Sequence, residues 1–171
     1  MAFTNEEETL FQRKDDQTGS SIYAKEAKKA GESIQASIIL DMVGYFTDRP
    51  FSQRYLPPMG WFYPNRGDYL MVEGNMRSKA LVRKIVDSLH RSVRFPVESL
   101  VSFECLAGLD GSDEAPFWKE GFPSAGITDT YIFRDPHYHQ SSDTWQTLNY
   151  GKMATAVEGL AVVITDLANQ N

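Results

Sequence analysis

The 171 residues, 42% hydrophobic and 23% charged, have the composition of a soluble globular protein, and one domain spanning 1–171 is the expectation for that length. A formal net charge of −6 with dispersed Lys and Arg argues against nucleic acid as a partner, and the lone Cys105 excludes an intrachain disulfide or a Cys-rich metal site. No apolar run approaches the ~20 residues of a membrane span, and neither a charged n-region nor an apolar h-region follows Met1, so the chain reads as cytoplasmic with no membrane partner.

In chain order, Ala2-Phe3-Thr4 reads as the end of a strand. Ser20 to Lys29 has helical composition, with Gly31 placed to stop it. Ser37-Ile38-Ile39-Leu40-Asp41-Met42-Val43-Gly44 is a nearly continuous apolar run without alternation, which suits a strand buried on both faces of a parallel sheet. Phe46 to Gly67 is rich in aromatics, prolines and arginines, lacks any period and reads as a long ordered loop. Tyr69-Leu70-Met71-Val72 follows as a strand.

The clearest helix is 78–93. Leu81, Val82, Ile85, Val86, Leu89 and Val93 form one apolar stripe, with Ser78 as the expected cap. Residues 99–103 and 124–128 are strand-like. A last helix runs from about Asn149 to Leu167, with Met153, Val157, Leu160, Ala161 and Ile164 as its expected buried face. Strands alternating with helices predict an α/β sandwich with a largely parallel sheet.

In such a sheet, functional groups collect where strands end at their C-terminal edge. Glu6 and Glu7 follow the first strand, Asp41 closes the second, and the loop Asp135 to Thr144, with His137 and His139, follows the strand at 124–128. Carboxylates and imidazoles are zinc-ligand types, and zinc hydrolases need a separate carboxylate to take a proton from water. Each piece also has a plainer reading. The run Glu6-Glu7-Glu8 suits a solvated acidic stretch, Asp41 a cap or salt bridge, and His139 an exposed loop residue, with His137 a bystander. Asp110, Asp113 and Glu114 suit a turn and helix N-terminus. Trp61, Phe62, Tyr63 and Trp118 suit either a pocket for apolar side chains or a core. Cys105 reads as structural.

Several of these segments resemble, in order and spacing, the zinc aminopeptidases of peptidase family M28, which includes the glutaminyl cyclase-like proteins. They are Ala2-Phe3-Thr4-Asn5-Glu6-Glu7, Gly19-Ser20-Ser21-Ile22-Tyr23-Ala24 and Leu40-Asp41-Met42-Val43-Gly44-Tyr45, followed by Gly111-Ser112-Asp113, Phe117-Trp118, Gly121-Phe122-Pro123, and Pro136-His137-Tyr138-His139 with Asp143-Thr144. The resemblance implies a three-layer α/β sandwich with a mostly parallel sheet flanked by helices. It also implies truncation at the N-terminal side, since the family's His-x-Asp motif lies upstream of the Glu pair and only five residues precede Glu6.

The implied chemistry is removal of N-terminal residues from peptides, with Glu6 as general base toward a metal-activated water and Glu7, Asp41 and His139 as ligands of one or two zinc ions. Asp113 and Asp143 would be supporting carboxylates, and His137 or Glu114 could substitute for a missing ligand. Glu114 stands where the family commonly has histidine. Trp61, Tyr63, Trp118 and Tyr138 would receive an apolar or aromatic N-terminal side chain. Missing strands would leave apolar surface and an open sheet edge, so a homo-oligomer is expected. Two rival readings stand beside this one: an inactive remnant serving as an oligomerising or peptide-binding module, and acyl transfer of the glutaminyl cyclase kind.

Overall fold

The computed structural model describes residues 18–103 and 112–169. Four strands, β1 (Ser37–Leu40), β2 (Leu70–Asn75), β3 (Val97–Ser102) and β4 (Ser124–Thr128), form one open sheet in the order β1-β4-β2-β3. Helices α1 (Gly19–Lys29), α2 (Lys79–Ser92), α3 (Glu114–Lys119) and α4 (Tyr150–Ala168) flank it. The Ser37 amide donates to Pro123 O at 2.9 Å and the Asp41 amide to Ile127 O at 3.3 Å, so β1 and β4 run in the same direction. Neighbours β2 and β3 are joined through α2, the kind of long crossover that parallel strands require. The α/β class and helix-flanked sheet are those expected; the Ala2–Thr4 strand lies outside the described residues.

By their contacts the described residues divide into two compact units: 18–39, 74–81, 101–103 and 112–126, and then 40–73, 82–100 and 127–169. Each strand contributes residues to both. In the first unit, Thr18 caps α1 by accepting from the Ser21 amide, and Gly31 ends the helix with φ +70, a conformation open to glycine at little cost. Ala24 and Ala27 of α1 pack with Ile39, Phe117 and Phe122. The rings of Tyr23 and Phe117 lie 6.1 Å apart. Trp118 is buried, and its indole N–H donates to Ser124 O at 2.9 Å, satisfying the one polar atom that burial would otherwise orphan.

The cap expected at Ser78 sits elsewhere. Asn75 Oδ1 accepts from the Ser78 amide at 2.8 Å, capping a 3-10 turn (Met76–Ser78) that leads into α2. The Ser78 hydroxyl instead accepts from the Ser124 amide at 3.2 Å. A buried strand amide claims the oxygen that a free helix end would have used.

In the second unit, Val82, Ile85 and Leu89 of α2 are buried on the expected stripe. Helix α4 starts where expected, with Asn149 Oδ1 accepting from the Lys152 amide at 3.0 Å, but of its expected inward face only Leu160 is buried. Ala156, Gly159, Leu160 and Val163 face inward, while Val157 and Ile164 are 62% and 59% exposed. The helix is apolar nearly all round, so its period alone does not select a face. Gly159 selects it, because a Cβ there would come within 2.9 Å of Leu89 and 3.0 Å of Val93. Close approach of the two helices needs a residue without a side chain, which turns that face inward. No helix among the described residues is long and apolar enough to cross a membrane.

Candidate functional site

Strand β1 ends at Leu40, and the segment after it leaves the sheet instead of continuing to Gly44 as the apolar run suggested. Asp41 is the first residue beyond the strand, and its amide still pairs with β4. Met42 then adopts φ +49. On the facing segment Thr130 and Tyr131 adopt φ +77 and +48. Three non-glycine residues in the left-handed region, on two adjoining segments, mark backbone held in place by its surroundings.

What holds it is Asp129, which is 1% exposed. Its Oδ2 accepts from the Gly44 amide at 3.0 Å and the Tyr45 amide at 2.7 Å. Its own amide donates to Met42 O, and Thr128 Oγ1 donates to the same carbonyl at 3.4 Å. Burial pushes the Asp129 carboxyl up to about 7, opposed by the Tyr45 amide, the Arg134 charge and the Gly44 amide. Its other oxygen, Oδ1, is buried without a hydrogen-bond partner.

A second buried acid stands nearby. Glu73 of β2 is 6% exposed and accepts from the Tyr131 hydroxyl at 3.2 Å. Burial raises its carboxyl to about 7; the Tyr131 hydroxyl opposes the shift and the negative charge of Asp41 adds to it. Behind them Arg134 is a buried cation. Its Nε donates to Gln53 Oε1 and its Nη1 to Tyr69 O, both at 2.8 Å, and it lies 4.5 Å over the Tyr69 ring. Gln53 in turn donates to Thr130 Oγ1 at 2.8 Å, tying the 46–67 loop to the segment after β4.

The histidine loop is ordered by its own polar contacts. Asp135 Oδ1 accepts from the His137 amide at 2.8 Å, His137 Nδ1 lies 2.9 Å from Ser142 Oγ, and the Tyr45 ring meets the imidazole edge-on at 6.2 Å. His139 is exposed at φ +56 and stacks on Tyr138 at 4.0 Å. Asp143 is exposed. Of the proposed pocket residues in this unit, Trp61 is 86% exposed, and Tyr63 stacks on Tyr55 and donates to Ser99 O.

In the first unit, Asp113 and Glu114 begin α3 as a helix N-terminus should, with Glu114 buried. Trp118, expected as a pocket wall, is 1% exposed and held in the core by its indole hydrogen bond, so it has no face to offer a ligand. Glu6, Glu7, Cys105 and Asp110 lie outside the described residues.

The structure thus joins Asp41 with two acids that the sequence reading did not single out, Glu73 and Asp129. Both had the signal that identified Asp41: a carboxylate in or directly after a buried apolar strand, Leu70-Met71-Val72-Glu73 and Gly126-Ile127-Thr128-Asp129. Among the described residues no three His, Cys, Asp or Glu side chains are grouped to hold a metal. Burial is the main reason that Glu73 is raised, and the charge of Asp41 adds to it, so the two carboxylates lie close enough to interact.

The pattern of peptidase family M28 matches residues 1–164. The Escherichia coli (strain K12) protein YfbL is 34% identical over 165 residues, covering 96% of this chain and 50% of its own length. The chain therefore spans about half the length of the curated relative it matches. Among solved structures, the LapA aminopeptidase of Legionella pneumophila superimposes with a TM-score of 0.67 at 19% identity, over 90% of this chain and 36% of LapA. LapB of the same organism gives 0.64 at 20% identity, over 90% and 36%. An aminopeptidase from Aneurinibacillus sp. strain AM-1 gives 0.52 at 19%, over 85% and 29%. At such identities the structures establish a shared fold.

Proposed function

The chain belongs to peptidase family M28, and on that premise we propose that it acts as a metal-dependent aminopeptidase releasing apolar or aromatic N-terminal residues from peptides. The observation that carries the reading is Asp41 at the C-terminal end of β1, with its backbone fixed by the segment after β4 and a second acid, Glu73, close enough to feel its charge. Glu7, Asp41 and His139 would hold zinc, with His137, Asp113, Glu114 and Asp143 as supporting or substitute groups. Bound zinc supplies Lewis acidity toward the scissile carbonyl and lowers the pKa of water. Glu6 would accept the proton of the attacking water and return it to the departing amine. Trp61, Tyr63 and Tyr138 would meet the substrate's first side chain. Self-association is part of the reading, supported by the exposed apolar face of α4.

Metal content and turnover test it together. Protein purified without added zinc should carry near-stoichiometric metal and hydrolyse aminoacyl-nitroanilides, and Glu6→Gln should lose at least about 100-fold in kcat while keeping the metal. Absence of both metal and turnover would favour a second reading, an oligomerising or peptide-binding module, which the exposed Phe51, Trp61 and Phe62 support. Cyclisation of N-terminal glutamine peptides without hydrolysis of other substrates would instead indicate acyl transfer.

A further inference from the structure

We infer that Asp129 is the positioning residue of this site: its buried carboxylate fixes the conformation of the backbone that carries Asp41, the residue the proposed function makes a metal ligand. The inference rests on the metal-site reading for what Asp41 does, and on geometry alone for what Asp129 does.

Four hydrogen bonds join the two segments. Gly44 and Tyr45 donate to Asp129 Oδ2, and the Asp129 amide and Thr128 Oγ1 donate to Met42 O. They bracket Met42, whose φ of +49 is one that a methionine adopts only when its neighbours enforce it. Asp41 is the residue before Met42, so a relaxed Met42 would swing the Asp41 side chain away from its present direction. The Asp129 side is itself fixed. Thr128 Oγ1 accepts from the Thr130 amide at 3.0 Å, and Tyr131, two residues beyond Asp129, donates to Glu73. A shift at Asp129 therefore reaches Asp41 through the backbone and Glu73 through Tyr131.

The carboxylate is needed as a carboxylate or its amide equivalent, because two amides converge on one oxygen. Among the described residues, no other side chain accepts from Gly44 N or Tyr45 N. The Gly44 amide bond is buried, so that donor has no water to fall back on. Arg134 supplies the counter-charge that keeps an acid tolerable there.

Asp129→Leu keeps the branched side-chain shape, with some added bulk, and removes both acceptors; Asp129→Asn keeps the size and one carbonyl oxygen. In amide hydrogen exchange on the full chain, Asp129→Leu should speed exchange at Gly44 and Tyr45 by about 10-fold or more, with α2 and α4 unchanged and Asp129→Asn near wild type. In competition titration with zinc or cobalt, Asp129→Leu should bind about 10–100-fold more weakly, and Asp129→Asn within a few-fold of wild type. Ser88→Ala, which removes a buried hydroxyl on α2, controls for general destabilisation and should leave metal affinity unchanged.

Unchanged exchange at Gly44 and Tyr45 in Asp129→Leu overturns the inference. So does loosened backbone with wild-type metal affinity, or an equal loss of affinity in Ser88→Ala. Should Asp129→Leu fail to fold, Asp129→Ala is read by the same criteria. A wild type that holds neither zinc nor cobalt removes the metal-site reading, and the exchange result then decides the anchoring by itself.

Discussion

Two regions of the second unit are built on opposite terms. Where α2 meets α4, apolar side chains close around Gly159, and the polar atoms at the margin are satisfied: Ser88 Oγ donates to Asp166, and Arg91 pairs with the same carboxylate at 2.8 Å. At the ends of β1 and β4 and within β2, by contrast, two acids are buried at a cost, three non-glycine residues hold positive φ, and Asp129 Oδ1 has no partner. The helix pair stabilises the unit, and the strand edge draws on that stability to keep charge and strain in place. Regions of the second kind are where function is to be sought.

The largest effect should come from breaking the stable side. Leu89 is fully buried against Gly159, so Leu89→Ala should lower unfolding free energy by about 2–5 kcal/mol through lost burial and a residual cavity. A lower denaturant midpoint with an unchanged slope would establish it, and a loss under 1 kcal/mol would mean that the helix pair is not the stabilising region.

The strand edge should respond in the opposite direction. Glu73 and Asp129 have folded pKa values raised to about 7 from ordinary values of 4.5 and 3.8. The folded state therefore binds more protons across that interval, so their contribution is present at low pH and lost as pH rises through about 7. Glu73→Gln should remove one of these costs, raising stability at pH 8 by on the order of 2 kcal/mol and changing it little near pH 4. Melting curves across that range are the measurement. A destabilised Glu73→Gln at pH 8 would show that the carboxylate is compensated by a bound cation or another partner.

The smallest effect belongs to the outward face of α4. Tyr150, Ala154, Val157, Ala161 and Ile164 are exposed at alternating spacings of four and three residues, as on the seam of a helix pair. Val157→Ser with Ile164→Ser should change monomer stability by no more than about 0.5 kcal/mol per site. Sedimentation should nonetheless show weaker self-association if that face joins copies; identical profiles for both proteins would remove it from the interface.

Much of the fold was legible because burial and period are local properties of the chain. The stripe of α2, the start of α4 near Asn149, the buried strand at 124–128 and the loop of 46–67 all follow from residues close together in sequence, whereas β1 is shorter than its apolar run and buries only Ile39, with Leu40 52% exposed. The misjudged features share one cause. Ser78 leaves its helix because Ser124, 46 residues away, needs its oxygen. Trp118 turns inward because Ser124 O accepts its N–H, and α4 rotates because Gly159 admits Leu89.

The site divides along the same line. From the sequence alone, Asp41 was identifiable as a carboxylate closing a buried strand, and the family resemblance attached His139, Glu6 and Glu7 to it. Glu73 and Asp129 bore the same mark, but their roles depend on strand order, which places β4 between β1 and β2. A sequence fixes which residues must be buried by their transfer free energy, since that is a property of each side chain. Which buried acid feels which neighbour depends on distances across the sheet, and only the tertiary structure set those.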